Sequence, residues 1–154
     1  LGFCNVSRAQ LAEALAVGPV DAVQVPYCLF IRGVEQELLP FCREKGVGVM
    51  AYGALGHGIL GGKMTPQTKF EDSDWRSGKV FGVAHWQDQE GLFAPGKFER
   101  NLAKVERLKE IAARSGYTVA QLALAWTLAN PAISVSLAGV KRPSQLADNA
   151  GAGE

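Results

Sequence analysis

The alternation of short apolar runs with segments of helical period is the feature that most restricts this chain. Four runs carry strand character: Leu1 to Cys4, Ala22 to Pro26, Val47 to Tyr52 and Ile133 to Ala138. None alternates cleanly between polar and apolar residues, which predicts strands covered on both faces of a parallel sheet. Helical segments separate them. "SRAQLAEALAV" opens on Ser7 as a cap and sets Leu11, Leu15 and Ala16 on one face. "VEQELLPFCREKG" ends on Gly46 after Arg43 and Lys45, which favour a helix C-terminus, and Pro40 kinks or delays the helix. Phe98 to Ser115 turns Leu102, Val105, Leu108 and Ile111 inward and closes at Gly116. Thr118 then caps "VAQLALAWTLAN", whose end is marked by Asn130 and Pro131. The order is β, α, β, α, β, a long loop over 64–97, α, α, β, α, which requires parallel strands joined by right-handed helical crossovers.

About 250 residues build a (β/α)8 barrel. Four strands in 154 residues therefore predict an α/β chain that makes roughly half of a (β/α)8 TIM barrel, one partial domain over 1–154. Both ends look truncated. "LGFCNVS" has no initiator Met and reads as a strand running into a helix cap, and "QLADNAGAGE" stops about two turns into a helix. A complete doubly wound domain is the rival, but no Gly-x-Gly-x-x-Gly follows the first strand and the glycine-rich segment follows the third.

Charge narrows the partners. Sixteen basic and fifteen acidic residues leave a net charge of +1, too weak a field to gather nucleic acid or an anionic membrane. No apolar run approaches the roughly 18 residues of a membrane span, and the opening residues lack the charged and apolar regions expected of a signal peptide. A cytoplasmic setting is expected. Cys4, Cys28 and Cys42 are odd in number without paired or metal-like spacing, so they are expected to be free thiols. His57 and His85 are too few and too far apart for a zinc site, and no metal is expected.

In a barrel the C-terminal strand ends face the site. Here those ends carry Cys4 and Asn5, then Gln24 and Tyr27, then Tyr52, then Gly139, Val140, Lys141 and Arg142. Each residue alone has a structural reading: Asn5 as a turn former, Gln24 as a satisfied core amide, Tyr52 as packed core. Their common placement favours a site. The stretch "AYGALGHGILGGK" holds five glycines after a strand, and glycine lets consecutive backbone N–H groups approach phosphate oxygens, although a flexible loop stem has the same composition. Lys63 at its end either reaches a phosphate or is solvated. In "AGVKRPSQLADN", Pro143 suits the first helical position, yet Arg142 stands where a capping Ser, Thr, Asp or Asn is expected. With no side chain capping the amides, Lys141 and Arg142 only add to the positive potential of the helix start, so an anion is expected there.

"LGFCNVS", "VDAVQVPYCLF", "GVGVMAYGALGHGILGGK", "DWRS", "AQLALAW" and "AGVKRPSQLADN", in this order and spacing, resemble the C-terminal half of an aldo-keto reductase. The similarity runs over essentially the whole chain. It implies a (β/α)8 barrel that binds NADP(H) across its C-terminal strand ends and reduces aldehydes or ketones. Carried over by position, Asn5 and Gln24 would bond the nicotinamide carboxamide and Tyr52 would stack on its ring. The backbone of Gly53, Leu55, Gly56 and Gly58, with Lys63, would line the pyrophosphate. Gly139 would adjoin the phosphate loop, Lys141 with Arg142 would meet the adenosine 2′-phosphate, and Gln145, Asp148 and Asn149 would surround the adenine and its ribose.

The sequence departs from the family at Cys4, where Ser is usual, at Arg142, where Thr or Ser is common, and at Gly53-Ala54, which replaces Ser-Pro. The resemblance also implies that the catalytic Asp, Tyr, Lys and His lie on the first four strands of a barrel, outside this chain, so no residue here is assigned a catalytic role. A carbonyl compound is the expected small-molecule partner. Two other readings remain open: a non-catalytic subunit that senses nicotinamide nucleotides, and a half-barrel that dimerises to cover its open edges. The aromatics of the long loop, Trp75, Phe81, Trp86 and Phe93, either wall a substrate pocket or pack on the outer helices.

Overall fold

The computed structural model of the protein describes residues 1–77 and 91–153. Strands β1 (Gly2–Cys4), β2 (Ala22–Pro26), β3 (Gly48–Tyr52) and β4 (Val135–Ser136) form one sheet in sequential order. Every neighbouring pair is parallel, with Phe3 beside Val23, Val23 beside Val49 and Ala51 beside Ser136. Among these strands the order never reverses, so there is no switch point of the kind a doubly wound sheet requires. The helices are α1 (Arg8–Val17), α2 (Leu38–Lys45), α3 (Lys97–Arg114), α4 (Val119–Leu128) and α5 (Pro143–Ala150).

Within this chain the two faces of the sheet differ in burial. Val23, Val25, Val49 and Ala51 are buried, whereas Gln24, Met50 and Tyr52, which alternate with them, stay half-buried. The buried set packs with Leu11 of α1, Leu39, Phe41 and Cys42 of α2, and Trp126 of α4. Those helices cover one face, and period-two side chains then leave the other face uncovered. A second cluster joins Ile59 and Leu60 to Phe98, Leu102 and Val105 of α3 and to Val119 and Ala123 of α4.

Local signals explain most boundaries. Ser7 and Thr118 both close capping boxes: each hydroxyl accepts from the amide three residues on, and Gln10 or Gln121 returns the bond. Pro40 delays its helix rather than kinking it. The helix starts at Leu38, which places Pro40 in the first turn, where a missing N–H breaks no helical bond. Ahead of it, Gly33–Glu35 forms only a 3₁₀ turn. The fourth strand is two residues long instead of six, because Ile133 donates its amide to the Asn130 carbonyl in a turn. Its pairing nonetheless reaches past the strand, with the Ser134 amide on the Val49 carbonyl and the Leu137 amide on the Ala51 carbonyl, each at 2.8 Å. Within the long loop, Trp75–Ser77 is a 3₁₀ turn, while residues 78–90, including Phe81, His85 and Trp86, lie outside the described residues.

Ser7→Ala should cost about 1 kcal/mol of stability, because it leaves one orphan helix amide uncapped. Leu11→Ala should cost about 2–5 kcal/mol, because Leu11 is 0% exposed and its loss opens a cavity under the sheet. Urea denaturation checks the ranking. Equal costs would mean that α1 is held by its cap rather than by its buried face.

Candidate cofactor site

Three strand ends meet at one rim. Asn5 follows β1 in a left-handed conformation at φ 56°, which asparagine adopts more readily than most residues. Its amide donates to the Gln24 carbonyl at 2.9 Å, and the Tyr52 hydroxyl donates to its Oδ1 at 3.0 Å. The Cys4 thiol donates to Gln24 Oε1 at 3.6 Å on the uncovered face. Burial raises the Tyr52 pKa above its ordinary value, so the hydroxyl is a neutral donor at neutral pH. Asn5, Gln24 and Tyr52 therefore form one connected group.

Tyr27 does not join it, although the strand-end argument placed it there. It shares the parity of Val23 and Val25 and so points into the helical layer, where its ring stacks on Trp126 at 5.2 Å. Its hydroxyl donates to Glu35 at 2.7 Å and accepts from Asn130 Nδ2 at 3.0 Å.

After β3 the chain enters the glycine-rich turn. The Gly56 amide donates to the Gly53 carbonyl at 2.7 Å and the Gly58 amide to the Leu55 carbonyl at 3.0 Å, so both are used within the turn. The Leu55 amide makes no such bond among the described residues. The turn is pressed against the helices. A side chain on Gly62, at φ +72°, would meet Val119 Cγ1 at 2.6 Å, so glycine is needed there for both space and backbone sign. That contact sets exposed Lys63 beside α3 and α4.

No side chain caps the first amides of α5, but a glutamine inside the helix braces the two residues at its start. Gln145 Oε1 accepts from the Lys141 amide at 2.8 Å and the Arg142 amide at 3.1 Å, which is the returning half of a capping box. The Lys141 and Arg142 side chains remain exposed after Gly139, at the C-terminal side of β4. Asp148 turns toward α4: its carboxylate accepts from Thr118 at 3.4 Å and its carbonyl from Gln121 Nε2 at 2.9 Å. Asn149 is half-buried on the same helix.

Asp74 and Arg76 escaped the sequence reading, in which "DWRS" served only as a mark of resemblance. Arg76 Nε donates to both Asp74 carboxylate oxygens, at 3.0 and 3.2 Å, and its Nη1 donates to the His57 carbonyl at 3.2 Å. These bonds hold the Asp74 pKa down at about 2, with Lys141 contributing a smaller lowering. An acid and a base two residues apart, downstream of a glycine-rich turn, were the available signal. Trp75 and Phe93 pack edge-on to each other at 5.7 Å, and Phe93 adjoins Phe98 of α3, so these two aromatics join the helical layer.

A sequence model described as the Aldo/keto reductase family matches residues 1–154. The chain belongs to the aldo-keto reductase family. It is 33% identical over 147 residues to aldo-keto reductase YhdN of Bacillus subtilis (strain 168), covering 95% of this chain and 41% of that protein. It is 30% identical over 152 residues to probable aldo-keto reductase 1 of Glycine max, covering 99% of this chain and 40% of the relative. Among solved structures, the glycerol dehydrogenase AKR11B4 from Gluconobacter oxydans superposes with a TM-score of 0.82 at 31% identity, over 97% of this chain and 43% of its own. The thermostable aldo-keto reductase Tm1743, solved with the inhibitor epalrestat, gives a TM-score of 0.67 at 25% identity, over 99% and 42%. This aldo-keto reductase chain thus spans about two fifths of the relatives it matches, and its parallel sheet fits the (β/α)8 barrel type.

The Asp74 ion pair should carry a pH signature. Its carboxyl titrates at about 2 when folded against an ordinary 3.8, so the unfolded chain binds more protons between these values. The stability that Asp74 contributes is complete above about pH 4 and is lost as pH falls toward 2. Asp74→Asn should therefore lower the urea midpoint at pH 7, and the difference from the unchanged protein should shrink below pH 4. A difference that does not depend on pH would show that the carboxylate charge is not what the pair contributes.

Proposed function

We propose that this chain is the cofactor-binding second half of a (β/α)8 barrel, truncated at both ends, from an NADP(H)-dependent oxidoreductase that reduces aldehydes or ketones. The observation that carries the reading is the convergence of Asn5, Gln24 and Tyr52 at adjacent parallel strand ends, directly before a glycine-rich turn. These residues fit a nicotinamide nucleotide. Tyr52 occupies Asn5 Oδ1 and Cys4 occupies Gln24 Oε1, which leaves the two side-chain amide nitrogens to donate outward. The half-buried Tyr52 ring offers a flat apolar face on the uncovered side of the sheet.

Gly53, Leu55, Gly56, Gly58 and Lys63 would line the pyrophosphate, the Leu55 amide being a backbone donor that the turn leaves unused. Gly139 leads into the loop where Lys141 and Arg142 would meet the 2′-phosphate with charge-assisted hydrogen bonds. Gln145 would act there through the backbone it braces, and Asp148 and Asn149 would flank the adenine ribose. Bound at this rim, the nucleotide supplies a hydride, and this chain's residues supply its orientation and local charge. The catalytic Asp, Tyr, Lys and His belong to the preceding half of the barrel, and the setting is cytoplasmic.

Fluorescence titration of the full-length protein with NADPH and NADH tests the reading. A Lys141→Ala, Arg142→Ala double variant should weaken NADPH by about 10- to 150-fold, the worth of hydrogen bonds to a charged group, and leave NADH nearly unchanged. Equal weakening of both would assign the pair to structure instead. The isolated chain should reduce no carbonyl compound, and measurable turnover would overturn the placement of its catalytic groups elsewhere.

A further inference from the structure

Helix α3 keeps its charges apart. At about 100° per residue, Arg100, Lys104, Arg107 and Arg114 fall within an arc of about 80°, with Ile111 in its middle. All five are exposed, Ile111 by 50%, on the side turned away from buried Phe98, Leu102, Val105 and Ala112. From Arg100 to Arg114 the stripe runs about 21 Å along the helix. Glu99, Glu106 and Glu110 are exposed together on one flank, about 80–120° from Arg100. No residue of α3 joins the cluster under the sheet. The helix packs on α4 and the glycine-rich turn, and the basic stripe lies on its outer side.

Such a pattern costs stability. Arg100 and Lys104 stand four residues apart, and Lys104 and Arg107 three, so like charges are neighbours on the helix surface and repel. A helix face that only meets water usually mixes its signs. The pairing that would relieve the repulsion is not made. Glu110 stands four residues before Arg114, the favoured order for an ion pair, yet among the described residues Arg100, Arg107 and Arg114 form none. Glu106 pairs instead with Lys109, away from the stripe. Lys104 rests over the Phe30 ring at 5.9 Å and stays exposed.

We infer that this face of α3 is a docking surface for an acidic amphipathic helix of another protein, whose carboxylates meet Arg100, Lys104, Arg107 and Arg114 and whose apolar side chain covers Ile111. Charge and shape select this occupant. A stripe this narrow fits a rod, and carboxylates three and four residues apart on a second helix repeat at the same spacing. Three of the four cations are arginines, whose forks hold carboxylates bidentately. Duplex DNA or an anionic membrane is broader and of one sign, so it would press its phosphates on Glu99, Glu106 and Glu110 as well. The net charge of +1 also gives such a polyanion no long-range attraction. A second copy of α3 would set one basic stripe against another. The surface is separate from the nucleotide rim, and the inference does not rest on the reading of that rim.

The test uses the full-length protein and a synthetic helical peptide that carries Glu at the spacing of Arg100, Lys104, Arg107 and Arg114 and Leu at that of Ile111, followed by fluorescence anisotropy. The unchanged protein should bind this peptide, and less tightly as salt rises. An Arg100→Glu, Arg107→Glu double variant should bind it at least about tenfold more weakly and should prefer a peptide with Lys at the same positions. Arg100→Gln with Arg107→Gln should fall between the two, and it carries the comparison if circular dichroism shows that the reversed variant does not fold. No binding of the Glu peptide, or binding that the reversal leaves unchanged, would overturn the inference. So would equal or tighter binding of a phosphatidylserine vesicle or a DNA duplex. Sedimentation showing copies of the protein that associate through this face, and separate on the same reversal, would assign the stripe to self-assembly and overturn it too.

Discussion

One-sided burial of the sheet is the constraint on which the rest depends. Val23, Val25, Val49 and Ala51 pack against α1, α2 and α4, and every second residue of β2 and β3 is thereby sent to the opposite face. Apolar side chains seek the helical layer because each gains roughly 1.5–3 kcal/mol when fully buried. Gln24 and Tyr52 are thus placed on the uncovered face by the demands of their neighbours. A one-residue slip would bury both and expose the valines.

The second cluster does for the glycine-rich turn what the first does for the strands. Ile59 and Leu60 are both 0% exposed and pack among Leu102, Val105, Val119 and Ala123, so a segment rich in glycine is tied to two helices. Gly62 permits that approach and Arg76 fixes the opposite end of the turn. A glycine-rich composition usually signals mobility, but here burial on one side and an ion pair on the other restrain it.

Polar networks of similar make-up occur in two places, and only one lies at the rim. Tyr27, Glu35, Arg32 and Asn130 form a connected set on the helical side, where burial and the Glu35 bond raise the Tyr27 pKa. This set ties the end of β2 to the segment before α2 and to the end of α4, and it satisfies a hydroxyl on a 1%-exposed tyrosine. Asn5, Gln24 and Tyr52 do the corresponding work on the open side, with donors left over. The difference between a structural network and a candidate binding site is whether the geometry consumes the polar groups.

The sequence by itself determined the β/α order, the parallel sheet, the caps Ser7 and Thr118 and the membership of Asn5, Gln24 and Tyr52 in one rim, because these follow from local period, local caps and chain connectivity. It also marked Lys141 and Arg142 as a charged helix start. Only the tertiary structure decided which sheet face the helices cover, since a mixed apolar run such as Ala22–Pro26 reads alike for one covered face or two. Only it decided that Tyr27 turns away from the rim, because side-chain parity is set by register against neighbours far along the chain. The grip of Arg76 on His57 and the bracing of Lys141 and Arg142 by Gln145 were equally out of reach. The first spans 19 residues and the second needs a glutamine to fold back on its own helix start, and neither leaves a period in the sequence.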